Sequence, residues 1–154
     1  IQLAKAKGAR IVAVDRAEKR EAVLALGADS FIDYRSRDYT ADPASYDLII
    51  DVVANRPAAH YARCLKPGGR LEIIGGTFRT LIRTALGGLL RRDKSLGVLV
   101  YKVSPEDNLS LAELCRTGTL RPVIDGIFPL ESGADAFRRL GSGLAVGKVI
   151  ISPA

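Results

Sequence analysis

The sequence contains no methionine and no tryptophan, only one histidine, His60, and only two cysteines, Cys64 and Cys115. The cysteines lie far apart without metal-ligand spacing around them, which does not support a disulfide scaffold or a zinc cluster. His60 and Cys64 are one helical turn apart, but without an accompanying acid or second histidine the pair is weak evidence for catalysis. We therefore predict no catalytic residue and no metal ligand among these residues.

Long apolar runs are missing as well. No stretch of 18 apolar residues occurs, and no basic segment precedes an apolar one at the start. We therefore predict neither a membrane span nor a signal peptide within these residues, and we expect a cytoplasmic protein. The absence of methionine, including an initiator, leads us to expect that the 154 residues belong to a longer polypeptide.

The composition is otherwise that of a globular domain. It has 47% apolar and 26% charged residues, which excludes disorder, a collagen helix and a coiled coil. The net charge of +6 is concentrated between Arg79 and Lys94, where five basic residues face one acid. This stretch lacks the interleaved aromatics and the motif spacing of nucleic-acid-binding segments. A solvated helix face is the favoured interpretation, and a surface for an anionic cofactor or partner is the alternative.

The apolar pattern predicts alternating strands and helices, and therefore an α/β fold with a doubly wound parallel sheet. The nearly continuous apolar segment 46–53 predicts a strand that is covered on both faces. A break is predicted at 66–69, and a soft domain boundary at 104. Strands are predicted over 10–15, 30–34, 46–53, 70–74, 95–101, 123–128 and 147–152, and helices over 17–26, 57–65, 81–92, 105–117 and 132–140.

Ligands of open parallel sheets bind at the carboxyl ends of the strands. The residues at these ends are Asp15, Tyr34, Val53, Ala54, Gly75 and Gly76. In a dinucleotide-binding unit an acid ends the second strand and holds the adenosine ribose, about 20 residues after a glycine-rich loop. Counted back from Asp15, that loop and the first strand lie upstream of residue 1. Residues 1–7 then form the last turns of the helix that follows the loop.

Each candidate also has a purely structural interpretation. Asp15 with Glu18 three residues later fits a helix capping pair, which is as well supported by its neighbours as a ribose contact. Arg16 and Lys19 are either solvated helix charges or partners of a ribose 2′-phosphate. Tyr34 fits a half-buried aromatic side chain at a strand end. Gly75 and Gly76 form either a simple turn or a close backbone approach to a nicotinamide.

An ordered set of segments resembles the medium-chain dehydrogenase/reductase superfamily, and within it the zinc-independent, quinone-oxidoreductase-like branch. The resemblance covers essentially the whole chain. The segments are Gly27-Ala28-Asp29 with Ile32-Asp33-Tyr34, the run Tyr46–Asp51, Leu65–Arg70 with Gly75-Gly76, and Pro122–Asp125 with Phe128-Pro129-Leu130 and Gly147-Lys148-Val149.

The resemblance implies an NAD(P)-dependent oxidoreductase with an N-terminal, GroES-like catalytic domain upstream of these residues. Residues 1–104 would be an incomplete NAD(P)-binding Rossmann domain that lacks its first strand. Residues 105–154 would be a C-terminal segment that returns to the catalytic domain. The superfamily commonly pairs the strand at 95–101 across a dimer, and we expect a homodimer through it.

The resemblance also assigns roles to particular residues. Lys19 and Tyr34 match positions that contact the 2′-phosphate in NADPH-using quinone reductases. Asp15 departs from that pattern, because an acid accepts hydrogen bonds from the free 2′-hydroxyl of NAD and repels a phosphate. Arg16 could offset this repulsion, so the cofactor is left as NADP or NAD. Four residues would border the nicotinamide: Val53, Ala54, Gly75 and Gly76.

The leading functional hypothesis is hydride transfer between NAD(P)H and a small molecule that is a quinone, a carbonyl compound or an activated alkene. The alternatives are a nonenzymatic nucleotide-binding protein or truncated product, and an α/β methyltransferase. With strand order 3-2-1-4-5-6, the first strand would lie between the strands at 10–15 and 46–53. We therefore expect a gap between these two strands, and we expect the 154 residues alone to bind NAD(P) poorly and to be inactive.

Overall fold

The computed structural model describes residues 1–76, 82, 95–100 and 102–153. The described chain contains five helices and seven strands. In chain order they are α1 (Gln2–Ala6), β1 (Val12–Asp15), α2 (Arg20–Ala25), β2 (Ser30–Asp33), β3 (Tyr46–Asp51), α3 (Ala58–Cys64), β4 (Leu65–Ile73), β5 (Ser95–Val98), α4 (Pro105–Arg116), β6 (Ile124–Pro129), α5 (Gly133–Gly141) and β7 (Lys148–Ser152). Short 3₁₀ turns occupy Ala17–Lys19, Tyr39–Ala41 and Leu130–Ser132.

The described chain forms two compact units. The first unit consists of Ile1–Arg37 and Ser104–Ala154, and the second unit consists of Asp38–Val103. All strand pairs in the described ranges are parallel. The predicted α/β class with parallel strands is therefore confirmed, whereas the boundary at residue 104 stays a prediction.

The first unit contains two parallel strand pairs, β1 with β2 and β6 with β7. The connection from β1 to β2 runs through α2, which buries Val23 and ends before Gly27. Gly27 has φ +101, a left-handed conformation that favours glycine, and it lets the chain turn back into β2. Helix α5 connects β6 to β7 in the same way and buries Ala136. The pattern of strand, helix and parallel strand thus occurs twice.

The second unit contains a three-stranded parallel sheet in the order β3-β4-β5. Helix α3 packs its buried side chains against one face of this sheet. Burial of these apolar groups is the main favourable contribution to the stability of the unit. The core consists of Ile49, Ala54, Tyr61, Ala62, Cys64, Leu65, Leu71, Ile73 and Leu96.

Two predictions about this sheet are wrong in detail. β4 begins at Leu65, and the predicted break at 66–69 lies inside it. Leu65 pairs with Tyr46 and Arg70 with Leu48, so residues 66–69 bulge out opposite a single residue of β3. The glycine-rich segment thus makes a bulge rather than ending the strand, because pairing resumes on both sides of it.

The apolar sequence of β3 predicts a strand that is covered on both faces, but the described residues cover only one of them. Ile49 is buried, whereas Leu48 and Ile50 are 53% and 58% exposed. Successive side chains of a strand point to opposite faces, and in the described part of the second unit only the face towards α3 is buried. The apolar side chains on the other face of β3 are therefore exposed in this structure.

The other described elements agree with their predicted positions to within a few residues. The predicted helix at 17–26 consists of a 3₁₀ turn followed by α2. The predicted helix at 81–92 and the basic stretch from Arg79 to Lys94 lie outside the described residues, apart from the isolated residue 82. No helix in the described ranges is long and apolar enough to cross a membrane.

Candidate functional site

The strand-end residues predicted from the sequence form two clusters, one in each unit. The first cluster lies where β1 and β2 end and contains Asp15, Arg16, Lys19 and Tyr34. The second cluster lies where β3 and β4 end and contains Val53, Ala54, Gly75 and Gly76.

Asp15 ends β1 and does not act as a helix cap. Its Oδ1 atom accepts a hydrogen bond from the backbone N–H of Arg16 at 2.8 Å. The 3₁₀ turn begins after Arg16 and has no side-chain cap, and Glu18 pairs instead with Arg35 at 3.4 Å. The predicted capping pair is therefore wrong. Asp15 instead contacts its own neighbours, the Arg16 N–H and the Lys19 ammonium group.

Arg16 is held against Tyr34, which comes directly after β2. The Arg16 Nε atom donates a hydrogen bond to the Tyr34 hydroxyl at 3.0 Å. This contact raises the pKa of Arg16 above its ordinary value, so the guanidinium remains fully charged. Tyr34 is 41% exposed, which agrees with the predicted half-buried aromatic side chain at a strand end.

Lys19 completes the first cluster. Its Nζ atom lies 3.5 Å from Asp15 Oδ2, and its side chain is only 17% exposed. The cluster therefore joins two cations, one carboxylate and one phenol. The carboxylate can accept hydrogen bonds from a ribose hydroxyl, while the cations and the phenol can donate to a phosphate.

The second cluster depends on Asp51, to which the sequence analysis assigned no role. Both Val53 and Ala54 donate their backbone N–H groups to Asp51 Oδ1 at 2.8 Å. The hydroxyls of Tyr39 and Tyr61 donate to Oδ2 at 3.1 and 2.7 Å. Four hydrogen bonds thus fix the carboxylate and the loop that follows β3.

The ionisation of these groups follows from their contacts. Burial acts to raise the pKa of Asp51, but the hydrogen bonds from Ala54, Tyr61, Val53 and Tyr39 outweigh it and hold that pKa below its usual value. Burial, together with the Asp51 charge, raises the pKa of both tyrosines. Asp51 is therefore a carboxylate and the tyrosines are neutral donors at physiological pH.

The loops that follow β3 and β4 approach each other closely. Ala54 is buried and has φ +51, and Gly76 has φ +124. A Cβ atom on Gly76 would lie 2.9 Å from the Ala54 Cβ, and one on Gly75 would clash with the Val52 carbonyl oxygen. Glycine is therefore favoured at residue 75 by the close Val52 carbonyl oxygen, and at residue 76 by the Ala54 side chain and the positive φ.

A metal site is not formed by the donors that the structure describes. In these ranges no three His, Cys, Asp or Glu side chains come together to hold an ion. Cys64 is buried, and its thiol lies 3.3 Å from the Tyr61 carbonyl oxygen, while Cys115 is exposed. The described residues do not fit a zinc ion.

The parallel sheets, their helical connections and the polar residues at their strand ends define a Rossmann-type α/β domain. Residues 26–151 match the family model described as zinc-binding dehydrogenase. The chain belongs to this family, which confirms the resemblance to the medium-chain dehydrogenase/reductase superfamily. Family membership also favours the dehydrogenase hypothesis over the methyltransferase.

The relatives include quinone and alkenal reductases. The chain is 29% identical to a chloroplastic quinone-oxidoreductase, QR1, from Triphysaria versicolor, over 99% of this chain and 48% of the relative. It is 32% identical to the chloroplastic NADPH-dependent alkenal/one oxidoreductase from Arabidopsis thaliana, over 99% of this chain and 36% of the relative.

A solved structure shows the same fold. The quinone oxidoreductase from Coxiella burnetii superposes with a TM-score of 0.86 at 26% identity, and the match covers 100% of this chain and 48% of that chain. The chain thus spans about half the length, or less, of these relatives.

Proposed function

We propose that the protein is an NAD(P)H-dependent oxidoreductase that transfers hydride to or from a quinone, a carbonyl compound or an activated alkene. The observation that carries the proposal is the cluster of Asp15, Arg16, Lys19 and Tyr34 at the ends of two parallel strands. The names of the relatives, quinone-oxidoreductase and NADPH-dependent alkenal/one oxidoreductase, support the substrate class.

The side chains of the first cluster fit the adenosine ribose of such a cofactor. Asp15 would accept hydrogen bonds from ribose hydroxyls, and Arg16, Lys19 and Tyr34 would bind a 2′-phosphate. Both NAD and NADP are therefore compatible with this cluster. When bound, the cofactor supplies the hydride, and the protein supplies orientation and electrostatics.

The second cluster fits the nicotinamide end. Asp51 fixes Val53 and Ala54, and Gly75 and Gly76 let the loop after β4 pack closely against the loop after β3. These four residues would border the ring and hold it at a defined angle. The proposal names no general acid on this chain.

The proposal includes the organisation and location of the parent protein. Residues 1–104 would belong to the NAD(P)-binding domain, and residues 105–154 would return to the catalytic domain. A cytoplasmic location is part of the same proposal, although the names of several relatives describe chloroplastic or mitochondrial proteins. Fractionation of cells that express the full-length protein tests the location.

The test uses the full-length protein, purified and mixed with NADPH or NADH and a panel of quinones, aldehydes and 2-alkenals. We expect cofactor oxidation that depends on the acceptor and saturates with it. A protein that binds NAD(P)H without oxidising it would instead support the nonenzymatic alternative. A protein that shows neither NAD(P)H binding nor turnover would contradict the oxidoreductase proposal and the nonenzymatic alternative alike.

Asp15 is predicted to limit the use of NADPH. In Asp15→Ser the carboxylate that repels a 2′-phosphate is gone, so the ratio of kcat/KM for NADPH to that for NADH should rise about 5- to 30-fold. Removal of Lys19 in the Asp15→Ser variant should then weaken the binding of NADPH more than the binding of NADH. Steady-state kinetics with both cofactors measure the ratio.

Glu18→Ser is the matched control for Asp15→Ser. It removes an acid three residues along, whose side chain is 52% exposed and faces Arg35. We expect its cofactor ratio to stay within about twofold of wild type, since exposed pairs contribute little. Equal ratios in wild type and Asp15→Ser would show that Asp15 does not contact the ribose.

The expected homodimer would form through the edge that β5 provides. In the described residues β5 pairs only with β4, and Leu99 and Val100, which follow it, are 46% and 81% exposed. An unpaired apolar edge favours association with a second copy. Val100→Asp should raise the dimer dissociation constant at least about tenfold, as measured by analytical ultracentrifugation.

Leu109→Asp on α4 is the control for the dimer prediction, since Leu109 is 72% exposed on a different element. It should leave the dimer intact. A wild-type protein that stays monomeric at high concentration would contradict the prediction.

A further inference from the structure

The turn that follows α5 is built from local hydrogen bonds. The Ser142 hydroxyl donates to the Arg139 carbonyl oxygen at 2.7 Å and accepts from the Leu144 N–H at 3.1 Å. Gly143 has φ +69, which favours glycine. These contacts give the turn a defined shape.

The turn is also anchored on both sides to one carboxylate on β6. Arg139 makes two hydrogen bonds to Asp125, at 2.6 and 2.7 Å, and the Val146 N–H donates to Asp125 at 2.8 Å. The Asp125 side chain is only 6% exposed. The Arg139 guanidinium and the Val146 N–H lower the pKa of Asp125 to about 2, so this anchor is charged at any physiological pH.

This anchored turn holds Arg16. The Arg16 Nη1 atom donates to the Ser142 carbonyl oxygen at 3.2 Å, on the same guanidinium that contacts Tyr34 through Nε. A Cβ atom on Gly143 would lie 3.2 Å from Arg16 Nη2 and 3.3 Å from Cζ. A side chain at residue 143 would therefore press on the guanidinium, which would have to move by a few tenths of an ångström from its place against the turn.

We propose that the Ser142–Gly143 turn is a specificity-determining part of the cofactor site, because it orients Arg16 towards a phosphate monoester on the ribose. The inference rests on the proposed function and extends it to a segment far away in sequence. A guanidinium held in advance by the Tyr34 hydroxyl and the Ser142 carbonyl loses less conformational entropy when it binds a phosphate. The turn acts through Arg16 and is a positioning element.

The test compares two glycine variants of the full-length protein. Gly143→Ala places a Cβ atom against Arg16. Gly118→Ala is the matched control, since Gly118 has a similar φ of +75 but a Cβ atom there would meet nothing within 4 Å. Both variants carry the strain of alanine in a left-handed conformation, and only the first disturbs Arg16. Should Gly143→Ala fold poorly, Gly143→Asn introduces the same Cβ atom on a residue that tolerates this conformation.

The readout is binding, measured by titration calorimetry with adenosine 2′,5′-bisphosphate and with 5′-AMP. We expect Gly143→Ala to weaken the binding of the bisphosphate about tenfold and the binding of 5′-AMP by less than about twofold. Gly118→Ala should change neither by more than about twofold.

The outcomes separate this inference from the proposed function. A wild-type protein that binds neither nucleotide would contradict the proposed function and the inference with it. A wild-type protein that binds both, with equal losses for the two ligands in Gly143→Ala or the same losses in Gly118→Ala, would overturn the inference alone.

Discussion

Asp51→Ala should lower the free energy of unfolding by about 2–4 kcal/mol, because it leaves several partly buried donors without an acceptor. Two of these donors are the N–H groups of Val53 and Ala54, and the other two are the hydroxyls of Tyr39 and Tyr61. Ala54 is held at a positive φ that few alanines adopt. We therefore also expect the loop after β3 to lose its shape.

Asp51→Asn separates the two halves of this network. Its amide oxygen can still accept from the two backbone N–H groups, while its amide nitrogen replaces the acceptor of the tyrosine hydroxyls. We expect a smaller loss, about 1–2 kcal/mol, with the loop retained. Urea denaturation of the purified protein, followed by circular dichroism, measures both variants.

Asp47→Ala is the control on the same strand. The Asp47 side chain is 81% exposed and pairs with Lys66 at 2.8 Å, and exposed pairs contribute only about 0–1 kcal/mol. Similar losses in Asp51→Ala and Asp47→Ala would show that the Asp51 network does not stabilise the unit.

Gly75→Ala should reduce the rate of hydride transfer by about 100-fold. The new Cβ atom would meet the Val52 carbonyl oxygen, so the strand ends of β3 and β4 must move apart. Displacement of a reacting group by about 1 Å is enough to cost about 10²-fold in rate. Stopped-flow measurement of NADPH oxidation under single-turnover conditions gives this rate directly.

Gly141→Ala is the control for Gly75→Ala, since a Cβ atom there meets nothing within 4 Å. Its rate should stay within about twofold of wild type. A Gly75→Ala protein with a wild-type rate would show that the backbone at residue 75 does not border the reacting ring. Thermal melts of both variants distinguish a local change at the site from loss of the fold.

Local sequence patterns predicted most of the elements correctly. The predicted strands at 10–15 and 30–34 form β1 and β2, and α2 ends just before Gly27, because apolar periodicity and glycine conformation act over a few residues. The same patterns failed for the bulge at 66–69. There the neighbouring strand supplies hydrogen bonds on both sides of a segment that is typical of a loop, so pairing between strands outweighs local preference.

In the candidate site, too, the sequence predicts some residues correctly and misses others. The rule that ligands bind at strand ends selected Asp15 and Tyr34, and Arg16 and Lys19 were named as charges that would surround a ribose 2′-phosphate. The structure brings these four side chains together. The rule did not select Asp51, although the carboxylate directly ends the apolar run of β3. Its importance depends on Tyr39 and Tyr61, and nothing in their spacing indicates that both hydroxyls converge on it.

The α/β class, the parallel strands and the family follow from the sequence alone, because they depend on apolar periodicity and on short motifs that survive divergence. The three-dimensional fold was needed to show that Asp15 does not cap a helix, which residue holds the loop after β3, and that Ser142 contacts Arg16. Residues 16 and 142 are distant in the chain, and their contact follows from how separate strand pairs fold into one unit. A hydrogen bond between such residues depends on the position of each backbone in space, which no local pattern encodes.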